Sequence, residues 1–166
     1  MTVAGADEGG PNVANGLKIF TEGKGDAQAC ESCHGDKAQG NDLMGAPRLA
    51  NIGYGYVIKQ LTNLADDKRT PGGVGAVMPV FAKALSPQDR RDVAAYVNTL
   101  NNPPELSDLK ALKEGGQAIG EAYKGAEIAQ HGNTKVPACA SCHDYNGRGV
   151  DPVFPENWSA KVCIFN

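Results

Sequence analysis

Aromatic residues are scarce in this chain of 166 residues: one Trp, five Tyr and four Phe, 6% of the total, against 21 Gly and 10 Pro. Such a chain buries little large side-chain surface, and a core built from it alone would be thin. Charge of one sign is also missing. The net charge is −3; residues 1–102 carry ten basic and eleven acidic side chains, residues 103–166 six and eight. Neither half is basic, so nothing points to a nucleic-acid partner. No apolar run approaches the ~20 residues that a membrane-spanning helix needs. Met1 to Glu8 is too polar and too short for an export signal. Nothing resembles an activated nucleophile, a paired-carboxylate site or a phosphate-cradling loop, so hydrolytic and phosphoryl chemistry lack their usual parts.

What is present is concentrated. Four of the five cysteines and two of the three histidines fall into one repeated pattern: Cys30-Glu31-Ser32-Cys33-His34 and, 109 residues later, Cys139-Ala140-Ser141-Cys142-His143. Cys-x-x-Cys-His is the attachment signature of haem c. The thiols add to the haem vinyl groups as thioethers, the short spacing keeps both sulfurs at one edge of the macrocycle, and the adjacent His becomes the proximal ligand of the iron. Zinc and a thioredoxin-like dithiol are competing readings of a single motif. Only His131 and Cys163 would remain as further zinc ligands, so two covalently bound haems c are the expectation. A large apolar cofactor in each half would also fill the thin core. Ligation and folding are then linked, and the apo chain is expected to be largely unfolded. Haem attachment of this kind happens outside the cytoplasm, so the chain is expected to be exported, its signal removed or replaced. Its cysteines are then haem-bound rather than disulfide-paired.

The first half reads as short helices. Val13, Leu17 and Phe20 recur at helical spacing before Gly23 and Gly25 stop the run. Residues 35–53 are polar and Gly-rich, a loop. Val57, Leu61 and Leu64 form a second stripe, which Asp66 to Arg69 and Pro71-Gly72-Gly73 end. Ser86-Pro87-Gln88-Asp89 is a helix start, with Ser at the N-cap, Pro at the first position and an acid at the third. Val93, Val97 and Leu100 line the face of that helix, and Asn101 to Pro104 close it. Met78 lies 44 residues beyond His34, on a loop between the last two helices. A thioether suits haem iron, and Met opposite His raises the reduction potential. Met78 is the expected sixth ligand of the first iron, with Met44 as the alternative and a packing role as the plainer reading.

These features together resemble a class I cytochrome c domain over residues 11–102: N-terminal helix, haem motif, middle helix, Met-Pro loop and C-terminal helix. Cys30 to Gly35, Pro47-Arg48-Leu49-Ala50, YVIKQLTNLADDKR from Tyr56 and LSPQDRRDVAAYVNTL from Leu85 are similar to the di-haem cytochrome c4 family. Gly120-Glu121-Ala122-Tyr123, Val136 to His143 and Phe154-Pro155 resemble the start of that family's second domain. The resemblance implies an all-α fold of tandem class I cytochrome c domains, each a few short helices wrapped around a covalent haem. The first domain would span 1–102, a linker 103–108 and a partial second domain 109–166. Cys30, Cys33, Cys139 and Cys142 would hold the haems, with His34 and Met78 on the first iron and His143 on the second.

The family further implies a bacterial periplasmic electron carrier, soluble or peripherally membrane-associated. Its donor would be a cytochrome bc-type complex or a dehydrogenase, and its acceptor a terminal oxidase. No substrate of its own is expected. The alternative is a di-haem oxidoreductase of the thiosulfate dehydrogenase kind, or the cytochrome subunit of a larger dehydrogenase. The pattern departs from the family after Pro155, where the remaining residues contain no Met. Codons for Glu156 to Val162 can be chosen so that a shifted frame reads Lys-Leu-Val-Gly-Gln-Gly, like the family's segment after Phe-Pro. The tail is therefore expected to be frameshifted or truncated. The sixth position of the second iron is left to His131, Cys163, solvent or a group from elsewhere.

Overall fold

The computed structural model describes residues 9–103, 108–144 and 149–154. Helix α1 (Val13–Glu22) starts at Asn12, whose side chain accepts from the Asn15 amide, and ends at Gly23 in a positive-φ conformation. A one-turn helix α2 (Glu31–His34), with Cys30 as its N-cap, carries the first Cys-x-x-Cys-His sequence. A short 3-10 turn (Asp42–Met44) interrupts the long loop that follows. Helix α3 (Tyr54–Ala65), a second 3-10 turn (Gly73–Val77), α4 (Met78–Ala84) and α5 (Pro87–Thr99) complete the first half. The second half contains α6 (Leu109–Glu114), α7 (Ala122–His131) and the one-turn α8 (Ala140–His143).

The core sits where α1 crosses α5, with α3 and α4 packed beside them. Ile19, Phe20, Val57, Leu85, Val93, Ala94 and Val97 are buried there, and the Phe20 and Tyr96 rings meet at 5.3 Å. Gly16 lets the two helices touch: a Cβ at this position would lie 2.0 Å from the Asp92 carbonyl oxygen. The buried stripe of α1 is therefore Gly16, Ile19 and Phe20, whereas Val13 and Leu17 are 43% and 44% exposed. Spacing puts Val13, Leu17 and Phe20 on one stripe, and of the three only Phe20 is buried in the protein alone. The contact is set by the residue that lacks a side chain.

Polar groups clamp the same crossing. Ser86 and Asp89 form the expected capping box of α5. Asp89, almost fully buried, also takes Lys24 Nζ at 2.7 Å and Asn15 Nδ2 at 3.2 Å. Asp92 accepts from the Asn12 amide at 2.8 Å, from Asn15 Nδ2 at 2.7 Å and from Gln88 Nε2 at 2.7 Å. Burial alone would raise the Asp89 carboxyl, but the bonds from Lys24, Ser86 and Asn15 outweigh it and hold the group below its ordinary value.

Met78 departs from expectation. It opens α4 rather than lying in a loop, because Pro79 occupies the first turn of a helix, where its missing N–H costs nothing. The linker expected at 103–108 falls partly outside the described residues; Asp108 itself is the N-cap of α6, accepting from the Lys110 and Ala111 amides at 3.0 Å. The tail 156–166, with Cys163, also lies outside them.

Candidate haem-binding sites

One helical turn gathers the first motif. Cys30, Cys33 and His34 stand at i, i+3 and i+4, the spacing that shares one helix face. The carbonyl of Cys30 accepts from the His34 amide at 2.9 Å and from the Cys33 amide at 3.3 Å. The turn is entered through the reciprocal Lys24–Ala27 pair (2.8 and 3.0 Å) and left at Gly35, whose φ of 82° suits glycine. Ser32 Oγ anchors the turn by donating to the Ala29 carbonyl at 2.6 Å.

His34 is 5% exposed, and its Nδ1 lies 2.8 Å from the Pro47 carbonyl. A carbonyl only accepts, so Nδ1 carries the proton and the Nε2 lone pair is left for a metal. Burial, partly offset by the Pro47 bond, lowers the His34 pKa and keeps the ring neutral, as ligation requires. Burial pushes the Cys30 thiol up to about 11, which suits sulfur that ends as an uncharged thioether. Cys30, Cys33, Cys139 and Cys142 are all unpaired in disulfides. Among the described residues, no group of three or more His, Cys, Asp or Glu side chains is placed to hold a metal ion, as a zinc site would need.

Large apolar side chains stay uncovered on several segments of the first half. Val13 and Leu17 on α1, Leu43 and Met44 in the 3-10 turn, and Val74, Val77 and Val80 around Met78 are all exposed in the protein alone. Exposed apolar side chains of this size, on segments before and after the motif, are available to a bound apolar group. Met78 is half-buried at the start of α4, and Met44 is exposed.

The second motif repeats several of the first motif's hydrogen bonds at the same spacing. Gly132 N–H donates to Ile128 O at 2.8 Å, as Gly23 does to Ile19 at 3.0 Å; Asn133 donates to Val136 at 2.8 Å, as Lys24 does to Ala27. His143 N–H donates to Cys139 O at 2.9 Å and Gly149 N–H to His143 O at 2.8 Å, matching His34 to Cys30 and Gly40 to His34. Ser141 Oγ donates to Ala138 O at 2.6 Å, matching Ser32 to Ala29. The bridge Asn41↔Ala46 has its counterpart in Val150↔Phe154, and the His143 and Phe154 rings lie 5.6 Å apart. His131 is exposed at the last position of α7. Sequence reasoning gave the Pro47 carbonyl no role; its one signal is a Pro 13 residues beyond the motif's His.

A cytochrome c family profile matches residues 13–101. The thiosulfate dehydrogenase electron acceptor of Stutzerimonas stutzeri (strain A1501) is 37% identical over 146 residues, 86% of this chain and 62% of that protein. Cytochrome c4 of Pseudomonas aeruginosa is 33% identical over 129 residues, 77% of this chain and 57% of that protein. The crystal structure of reduced recombinant cytochrome c4 from Pseudomonas stutzeri superposes with a TM-score of 0.63 at 29% identity, covering 89% of this chain and 72% of that one. The chain thus spans about three fifths of the length of these two sequence relatives. With an all-α fold, a buried motif histidine and this profile over more than half its length, the chain belongs to the cytochrome c family, in its cytochrome c4-like branch, whose mark is a covalently held haem c.

Proposed function

We propose that this protein is a di-haem electron carrier of the bacterial periplasm. The observation that carries the reading is the repeat: the Cys139–His143 turn reproduces the hydrogen bonds of the Cys30–His34 turn at the same spacing. Cys30 and Cys33 would hold one haem and Cys139 and Cys142 the other, with His34 and Met78 as the axial pair of the first and His143 on the second. When bound, each haem supplies one-electron exchange between ferrous and ferric iron, with no bond made or broken. The protein does the rest. His34, fixed by Pro47, would present one nitrogen; the packed α1, α3, α4 and α5 would hold it in place; and two domains, 1–102 and 109–166, would carry one centre each.

A dehydrogenase or a cytochrome bc-type complex would be the donor and a terminal oxidase the acceptor. The name of the Stutzerimonas relative supports a dehydrogenase donor that oxidises thiosulfate. No described helix is long and apolar enough to cross a membrane. The alternative, an enzyme of the thiosulfate dehydrogenase kind, draws on Cys163, which lies outside the described residues. Stopped-flow mixing of the oxidised holoprotein separates the two. Thiosulfate alone should leave its haem spectrum unchanged, and thiosulfate with a thiosulfate dehydrogenase should reduce it. Reduction by thiosulfate without the dehydrogenase overturns the carrier reading.

A further inference from the structure

Asp151 belongs to the second half but ends on the first. Its Oδ1 accepts from the Tyr56 amide at 2.7 Å and its Oδ2 from the Gly55 amide at 3.0 Å. These two N–H groups sit in the first turn of α3, where no intrahelical acceptor exists and the helix dipole favours an anion. The first half supplies no cap of its own: Gly53, the N-cap residue, has no side chain. The carboxylate reaches the amides because α3 opens on glycines. A Cβ at Gly53 would lie 2.8 Å from Asp151 Oδ1, and one at Gly55 would lie 2.5 Å from Asp151 Oδ2 and 3.0 Å from Pro152 Cβ. Gly55 has no positive φ to require glycine, and glycine inside a helix costs about 0.5–1 kcal/mol relative to Ala. The approach of Asp151 is the physical reason for it on this face.

The loop that offers Asp151 is tied at both ends to the second haem motif. Val150 and Phe154 exchange backbone bonds of 2.8 and 2.9 Å, which close the loop beneath Asp151. Gly149 N–H donates to the His143 carbonyl at 2.8 Å, and the Phe154 ring faces the His143 ring. On the other side, α3 packs against α4, which Met78 opens, and against α5. A short bonded path therefore joins the segment of His143 to the helix beside Met78.

We propose that Asp151 is a positioning residue: it caps α3 in order to fix the second haem-binding segment against the first domain, and so sets the geometry through which the two centres share an electron. The proposal rests on the two-haem reading, and a haem count by mass on the same sample reports any failure of that reading separately.

The test uses the full holoprotein with Asp151→Ala, Asp151→Asn and Gly55→Ala. In the reduced state, amide hydrogen exchange at Gly55 and Tyr56 should rise about tenfold in Asp151→Ala, the scale of a lost charge-assisted hydrogen bond. It should rise less in Asp151→Asn, which keeps one acceptor. Gly55→Ala leaves the carboxylate in place but fills its seat, so the Tyr56 amide should loosen there too. Electron exchange between the two centres, followed after rapid partial reduction, should slow severalfold in Asp151→Ala and Gly55→Ala, since electron tunnelling falls off exponentially with the separation of the centres. Unchanged exchange at Gly55 and Tyr56 in Asp151→Ala overturns the contact. Loosened amides with an unchanged electron-exchange rate reduce Asp151 to a helix cap and overturn the positioning role.

Discussion

Met78 and Met44 are unequal partners for iron. Met78 is half-buried at the first position of α4, whereas Met44 ends an exposed 3-10 turn. With His34 and Met78 as the axial pair, the oxidised protein should show the weak sulfur-to-iron absorption band at the red end of the visible spectrum. Met78→Ala should abolish that band and lower the reduction potential, because the soft ligand that favours ferrous iron is gone. Met44→Ala should leave both in place. A band that survives Met78→Ala removes Met78 as ligand. Asp89 gives a second prediction. Its carboxyl is held below the ordinary value against the effect of burial. A depressed acid contributes stability above its unfolded pKa of ~3.9 and loses it as pH falls through the lower folded value. Asp89→Asn should therefore cost about 1–3 kcal/mol at neutral pH. The gap in Tm between wild type and variant should close as pH drops below about 4. Parallel Tm curves across that range contradict the assignment.

Elements extend the argument through a pair of glycines at matching positions of the repeat. Gly16 in α1 and Gly125 in α7 stand 109 residues apart. A Cβ on Gly16 would meet the Asp92 backbone at 2.0 Å, while no described atom lies within 4 Å of one on Gly125. Gly16→Ala should thus separate α1 from α5 and cost about 1–3 kcal/mol or more. Gly125→Ala, in an open helix interior, should be neutral or stabilise by up to ~1 kcal/mol. Thermal unfolding by far-UV circular dichroism compares them, and a neutral Gly16→Ala would show that the crossing is not set there. The same helices mark what sequence can reveal. The Ser86 capping box and the Val93–Val97 face were legible because cap chemistry and helical period are local. The close contact at Gly16 was not, because a glycine leaves no hydrophobic signal. Nor was α4, because Gly-rich residues and Pro79 look like a loop until the first turn of a helix accommodates the proline.

At the scale of the molecule, the repeat joins residue to function. The two Cys-x-x-Cys-His turns were legible from spacing alone, since one helical turn suffices to bring Cys, Cys and His together. Contacts between distant segments were not. The Pro47 carbonyl on His34 and the Asp151 carboxylate on α3 join residues 13 and about 95 positions apart, and no periodicity reports such pairings. The central claim is that the Cys139–His143 turn, built like the Cys30–His34 turn, binds haem as the first does. Mass spectrometry of the denatured, mature chain tests it most directly, because thioether bonds survive denaturation. The account predicts the chain mass plus two haems, and a chain carrying one haem or none contradicts it.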